Sequence, residues 1–383
     1  MKERLGNYIQ EYSVRNKNGE DIPVYSVTNT QGFCRDYFGK EVASKDRTTY
    51  KIVPRGCFAY NPSRINVGSV DYQRYEDRVI VSPLYNVFSV SDDLDKQYLY
   101  YYLKSNITLQ RIKDVASGSV RDNLKLSMLY DFPINIVTIS EQRAIVSKID
   151  GIKNIIELRK QQLQQLDELV KARFVELFGC LYDEKFEMKS LPEIVTKDKN
   201  SIKRGPFGGA LKKEDFVGSG YLVYEQRHAI HNDFEYEKYY ITKEKYDDMI
   251  GFKVVPGDLI ISCSGVTLGR IAEVPKGAKE GIINQALLKL SLNQTIMKNT
   301  FFIHQFRSEE IQEILFGFSR GSGIPNMPSM SEVKAVKFIC PPIELQNEFA
   351  NFVEQTDKSK FEIQQSLEKS ETLMGALMQK YFG

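Results

Sequence analysis

ISEQRAIVSKID (139–150) and, 204 positions later, IELQNEFANFVEQTD (343–357) open two stretches that decide how this chain is read. The first closes on LQQLDELVKARFVELFG (163–179) and the second on SLEKSETLMGALMQKYFG (366–383). Aligned without a gap over 41 residues, they share Ile139/Ile343, Gln142/Gln346, Gln161/Gln365, Leu163/Leu367, Leu169/Leu373, Ala172/Ala376, Phe178/Phe382 and Gly179/Gly383. Positions spaced 4-3-4-3 in the first copy read Ile145, Ile149, Ile152, Ile156, Arg159, Leu163, Leu166, Val170, Arg173, Leu177. In the same phase the second reads Phe349, Val353, Thr356, Lys360, Ile363, Leu367, Ser370, Met374, Leu377, Tyr381. A seam held over five heptads is a coiled-coil signal. The polar breaks fall at different heptads in the two copies, which predicts that the helices pair with each other rather than each with itself. At about 35 residues each helix runs roughly 50 Å, so an antiparallel pair would serve as a spacer.

Outward from the helices, the order is globule, helix, globule, helix. At 383 residues the chain exceeds what one core usually supports. Its 42% apolar content, with 22 Tyr and 22 Phe, is enough for packed cores and argues against disorder. No window of eighteen apolar residues occurs, and the N-terminus carries no secretory pattern. Cys34, Cys57, Cys180, Cys263 and Cys340 form neither a disulfide framework nor a metal-binding spacing, so a reducing cytoplasm is the expected compartment. Net charge is +2, with 19 basic against 16 acidic residues in 1–139 and 22 against 21 in 180–342. Locally, Lys197, Lys199, Lys203, Arg204, Lys212 and Lys213 fall within 17 residues opposed only by Asp198, a cluster suited to phosphate or simply to solvent.

Both globules read as α+β. Tyr/Val/Ile-rich runs lie between turn signals: RVIVSPLYNVFSV (78–90), GYLVYEQRHAI (220–230) and VVPGDLIISCSG (254–265). IVPRGCFAY (52–60) parallels VVPGDLIIS (254–262). SGSVRDNLKLSMLYDFPINIVTISEQ (117–142) parallels RGSGIPNMPSMSEVKAVKFICPPIELQ (320–346). Between these anchors the sequences diverge, as one scaffold with two contents would.

No GxxxxGK[ST] loop and no strand-to-helix GxGxxG loop is present. YNPS (60–63) resembles the Asn-Pro-Pro-aromatic tetrad of amino-methyltransferases but lacks the second proline and the aromatic. His228 and His231 form an HxxH pair with no third ligand nearby, so they are expected as surface or DNA-facing groups, and no metal site is expected. NPSRINVGSV (61–70) and SGVTLGR (264–270) put side chains able to read DNA on turns at equivalent places. Arg and Asn can bond base edges in pairs, while Ser, Thr and glycine amides suit phosphates. The candidate DNA-facing residues are Asn61, Ser63, Arg64, Asn66, Ser69, Arg121, Lys203, Arg204, Lys212, Lys213, Arg227, His228, Ser264, Thr267, Arg270 and Arg320. Each turn could equally be structural.

Taken in order, LGNYIQEYSVRN (5–16), YNPSRINVGSV, IKRGPFGGALKKEDF (202–216), GYLVYEQRHAI, the GDLIIS…G…GR…NQAL series (257–287) and the two headed helices resemble the specificity (S) subunit of type I restriction–modification systems over essentially the whole length. The resemblance implies two α/β target recognition domains in tandem pseudo-repeat, each followed by a long helix, with the helices forming an antiparallel coiled coil. Its boundaries would be 1–139 and 180–342 for the recognition domains, and 140–179 and 343–383 for the helices. Each domain would read one half of a bipartite double-stranded DNA target, and the helices would set the spacing. Pairing and docking would fall to Ile145, Ile149, Ile152, Ile156, Leu163, Leu166, Val353, Ile363, Leu367, Met374 and Leu377. Two methylation (M) subunits would bring S-adenosylmethionine, and restriction (R) subunits ATP and magnesium; this chain itself would bind no cofactor and catalyse nothing. The competing readings are a self-contained methyltransferase or nuclease with degenerate motifs, and a non-catalytic coiled-coil scaffold.

Overall fold

The computed structural model describes residues 2–35, 46–116, 123–179, 183, 185–207, 209–317 and 325–383. Its contacts divide the chain into two compact units whose borders fall inside the long helices. Unit 1 is Met1–Gln162 with Ile363–Gly383, and unit 2 is Leu163–Glu362. The expected borders at residues 139, 179 and 342 follow the ends of the sequence elements; packing cuts the chain elsewhere.

Within unit 1, Lys2–Arg4 pairs antiparallel with Pro133–Asn135. The main sheet runs in the order Ile9–Glu11, Asn86–Val90, Phe58–Tyr60, Val70–Tyr72, all antiparallel. Lys51–Pro54 pairs separately with Arg78–Val81. Helices Lys96–Lys104 and Asn106–Ala116 follow the sheet. Unit 2 repeats the plan. Met188–Ser190 pairs with Lys337–Ile339. The sheet order is Ile202–Arg204, Leu287–Leu290, Leu259–Ser262, Ile271–Glu273. Lys253–Val254 pairs with Gly281–Ile283, and helices Asn299–Phe306 and Glu309–Phe316 follow. Unit 2 adds Tyr221–Tyr224 parallel to Gly281–Ile283, whereas unit 1 has, among the described residues, a single parallel bridge, Val24 to Ile80.

The turn into the central strand shows how sequence fixes this plan. Gly56 and Gly257 stand at φ +86° and +89°, a conformation that a side chain disfavours. Each follows a strand end and a nearby proline, Pro54 or Pro256, and feeds a fully buried strand, Phe58–Tyr60 or Leu259–Ser262.

Both long helices are 40 residues, Ile139–Phe178 and Ile343–Phe382, and they run antiparallel as a coiled coil. Every residue of the 4-3 seam is buried or half-buried. In unit 2, Phe174 and Phe178 meet Phe349 at ring distances of 5.4 and 5.6 Å. In unit 1, Ile149 is fully buried in a cluster that also holds Met374 and Phe382. The polar breaks in the seam are satisfied locally. Thr356 Oγ1 donates to Phe352 O at 2.9 Å and Ser370 Oγ to Ser366 O at 2.8 Å. Arg173 reaches Glu348 at 2.5 Å and Lys360 reaches Asp167 at 2.6 Å, both half-exposed pairs. Such solvent-screened pairs add little to stability, so the apolar seam dominates the pairing.

The final phenylalanines are used identically. Phe178 packs on Phe301 of unit 2 at 4.6 Å, and Phe382 on Tyr98 of unit 1 at 5.0 Å. Each long helix therefore ends as a plug in a globular core, contributing about 2–3 kcal/mol per ring buried.

Candidate DNA interface

In unit 1 one end of the main sheet carries the loop between Phe58–Tyr60 and Val70–Tyr72. Asn61 Oδ1 accepts from the backbone N–H and the hydroxyl of Ser63, which tightens the turn. Ser63 and Arg64 are exposed, Asn66 is half-buried, and Ser69 is buried. The loop is tied from outside: Leu124 N donates to Pro62 O at 3.1 Å, and Lys104 Nζ donates to Gly68 O and, at 3.0 Å, to Asn29 O.

The equivalent loop of unit 2 joins Leu259–Ser262 to Ile271–Glu273 and is held the same way. Met327 N donates to Cys263 O at 2.8 Å and Gly265 N to Pro325 O at 2.9 Å. Arg307 Nη2 donates to Ile271 O at 2.8 Å. Lys104 and Arg307 both sit at the end of the helix that follows the sheet, and burial lowers the pKa of each, with Arg270 adding to the effect on Arg307. Glycines at φ +87° (Gly68) and +77° (Gly269) end both loops.

The contents differ. Around the unit 2 loop, Ser264 N donates to Gln226 Oε1 at 3.1 Å. Arg204 Nη2 donates to Asn326 Oδ1 at 3.0 Å, and its guanidinium lies 5.3 Å from the ring of Phe207. Phe207 is 66% exposed and Val266, at the loop tip, 98%. Arg204 Nε is buried without a partner, and Arg204 has no carboxylate partner among the described residues. Thr267 is half-buried and Arg270 exposed. This end thus offers an oriented guanidinium, amides, a hydroxyl and an exposed ring, which is chemistry for contacting base edges and stacking.

Other candidates lie apart from it. Lys203 faces the opposite side of its strand from Arg204, its Nζ 4.7 Å from the Phe252 ring. Lys212 and Lys213 are exposed at a 3-10 turn, Lys213–Asp215. Arg227 is engaged with Asp233 and the Tyr236 ring. His228 corrects the expectation of a DNA-facing group: it is fully buried, with Nε2 2.8 Å from Tyr236 O and Nδ1 accepting from Glu225 N at 2.9 Å. Both ring nitrogens are used to brace the turn after Tyr221–Tyr224, leaving none for a ligand. Arg121 and Arg320 lie outside the described residues.

Phe207, Gln226 and Asn326 were not singled out from sequence. An aromatic flanked by glycines in GPFGG was a visible signal; the amides had none, because their convergence depends on the fold. Reactive chemistry is muted here. Burial pushes the Cys263 thiol up to about 12 and holds His304 down at about 4, with Arg307 and Lys360 adding to the latter. Among the described residues no group of three or more His, Cys, Asp or Glu could hold a metal. Among them also, no helix is long and apolar enough to cross a membrane.

This double plan is the fold of type I specificity subunits. The chain is similar throughout to a chain solved in work on assembly and conformational transition of the type I restriction–modification system (TM-score 0.65, 16% identity, 100% of this chain and 97% of that one). It is also similar to the type I S subunit from M. genitalium (TM-score 0.55, 15% identity, 100% and 96% covered). Residues 5–168 and again 184–371 match the type I restriction modification DNA specificity domain, and the chain belongs to that family. Among curated relatives, it is similar to the StySPI specificity subunit of Salmonella potsdam (21% identity over 100% of this chain and 84% of that protein). It is also similar to the MjaVIII specificity subunit of Methanocaldococcus jannaschii, at 24% identity over 26% of this chain and 23% of that protein.

Proposed function

We propose that the chain is the non-catalytic, DNA-reading subunit of a type I restriction–modification complex, with each globular part reading one half of a bipartite target. The paired helices set the gap between the halves and offer the surface on which two methylation subunits dock. Those subunits bring S-adenosylmethionine, and restriction subunits bring ATP and magnesium.

The observation that carries this reading is the pair of equivalent loops. They are pinned alike, to the segment before the last strand and to a cation at a helix end, yet they present different side chains. A repeated frame with unlike contents suits two unlike half-sites. Arg204, Asn326, Gln226 and Ser264 are the base-contacting candidates of the second reader, and Asn61, Ser63 and Arg64 of the first.

The test is a map of methylated adenines in a host carrying the whole system, with and without this chain. Loss of a single bipartite motif is expected. Methyl transfer or cleavage by the purified chain without partners would overturn the reading.

A further inference from the structure

We propose that Gln142 and Gln346 determine the gap between the half-sites, by fixing the angle at which each globule is carried on its own long helix. The inference rests on the two-reader function above.

Both glutamines lie in the first turn of a long helix and both are fully buried. Each makes the same three bonds. Gln142 Nε2 donates to Val137 O at 2.8 Å and to Asp93 O at 2.9 Å, while its Oε1 accepts from Asp95 N at 2.8 Å. Gln346 Nε2 donates to Pro341 O at 2.8 Å and to Ile296 O at 3.0 Å, and its Oε1 accepts from Lys298 N at 2.9 Å. Asp95 and Lys298 are the residues immediately before helices Lys96–Lys104 and Asn299–Phe306. One side chain thus ties the root of the long helix to the start of the helix packed beneath the reading sheet. An amide is required, because two carbonyls and one N–H must be satisfied together.

The location gives these bonds leverage. A 40-residue helix is about 60 Å long. A tilt of roughly 3° at its root would move the far end by about 3.4 Å, the rise of one base pair. An apolar seam tolerates such small tilts; three directed bonds around one buried amide do not.

The experiment uses the complete complex with its methylation partners. Wild-type chain, Gln142→Met, Gln346→Met and the core control Leu99→Ala are compared on duplexes carrying both half-sites. The duplexes hold the halves at the native gap and at gaps one base pair shorter or longer. Gln142→Glu, which keeps the volume and the acceptor toward Asp95 N–H, stands in should Gln142→Met fail to assemble. The glutamine variants are expected to lose about tenfold or more of their discrimination between gaps, with half-site preference intact, while Leu99→Ala keeps it. Wild-type gap discrimination in the assembled glutamine variants would overturn the inference, as would equal relaxation by Leu99→Ala. A wild-type chain with no bipartite motif would instead sink the two-reader function itself.

Discussion

Lys203 and Arg204 are neighbours in a basic run, and from sequence they look like one phosphate-binding patch. They occupy a strand, Ile202–Arg204, where successive side chains leave on opposite faces. Arg204 goes to the reading end, held by Asn326 and Phe207, whereas Lys203 lies over Phe252. The two therefore separate in function. Arg204→Ala is expected to weaken specific binding by about 1–3 kcal/mol and to relax preference at one base pair of one half-site. Lys203→Ala should leave sequence preference intact. Equilibrium binding on a panel of single-base variants of the target checks this, and identical behaviour of the two variants would contradict it. His228 teaches the same point from the other side. The HxxH pair His228/His231 reads as surface or DNA-facing, but the fold gives both nitrogens of His228 to the chain's own backbone. Charge and residue type were legible; facing was not, because strand parity and loop closure decide it.

At the scale of the elements, the long helices were the most legible part of the chain. Heptad spacing is a strictly local pattern, and every seam residue from Ile145 to Tyr381 is removed wholly or partly from solvent. The matched Phe-Gly ends were visible as well, but not their destination. That Phe178 enters the core beside Phe301 and Phe382 the core beside Tyr98 is a long-range fact that no period encodes. The glutamine ties were equally hidden, since their partners lie about 50 residues away in sequence. As a spacer, the pair should respond to length in a defined way. Inserting one heptad after Gln161 and another after Gln365 preserves the seam and lengthens the rod by about 10 Å. The gap in the methylated motif is expected to grow by about three base pairs with both half-sites unchanged. Sequencing of methylated sites reads the outcome, and altered half-sites with a constant gap would count against a spacer.

Across the whole molecule, the scaffold repeats more faithfully than its sequence. Eight identities mark the helices, yet the main sheet of unit 1 and its counterpart in unit 2 share one strand order and both loops share their bracing. Backbone plan survives wherever buried apolar positions and turn glycines are kept; exposed loop residues are free to change, which is how one frame holds two contents. The expectation of a non-catalytic chain came from missing motifs, and family membership now supplies the positive ground for it. The most direct test of one frame with two independent readers is to exchange residues 183–340 for the corresponding part of another specificity subunit and map methylated adenines. The account predicts a new second half-site, with the first half-site and the gap retained. A change in both half-sites, or in neither, would contradict it.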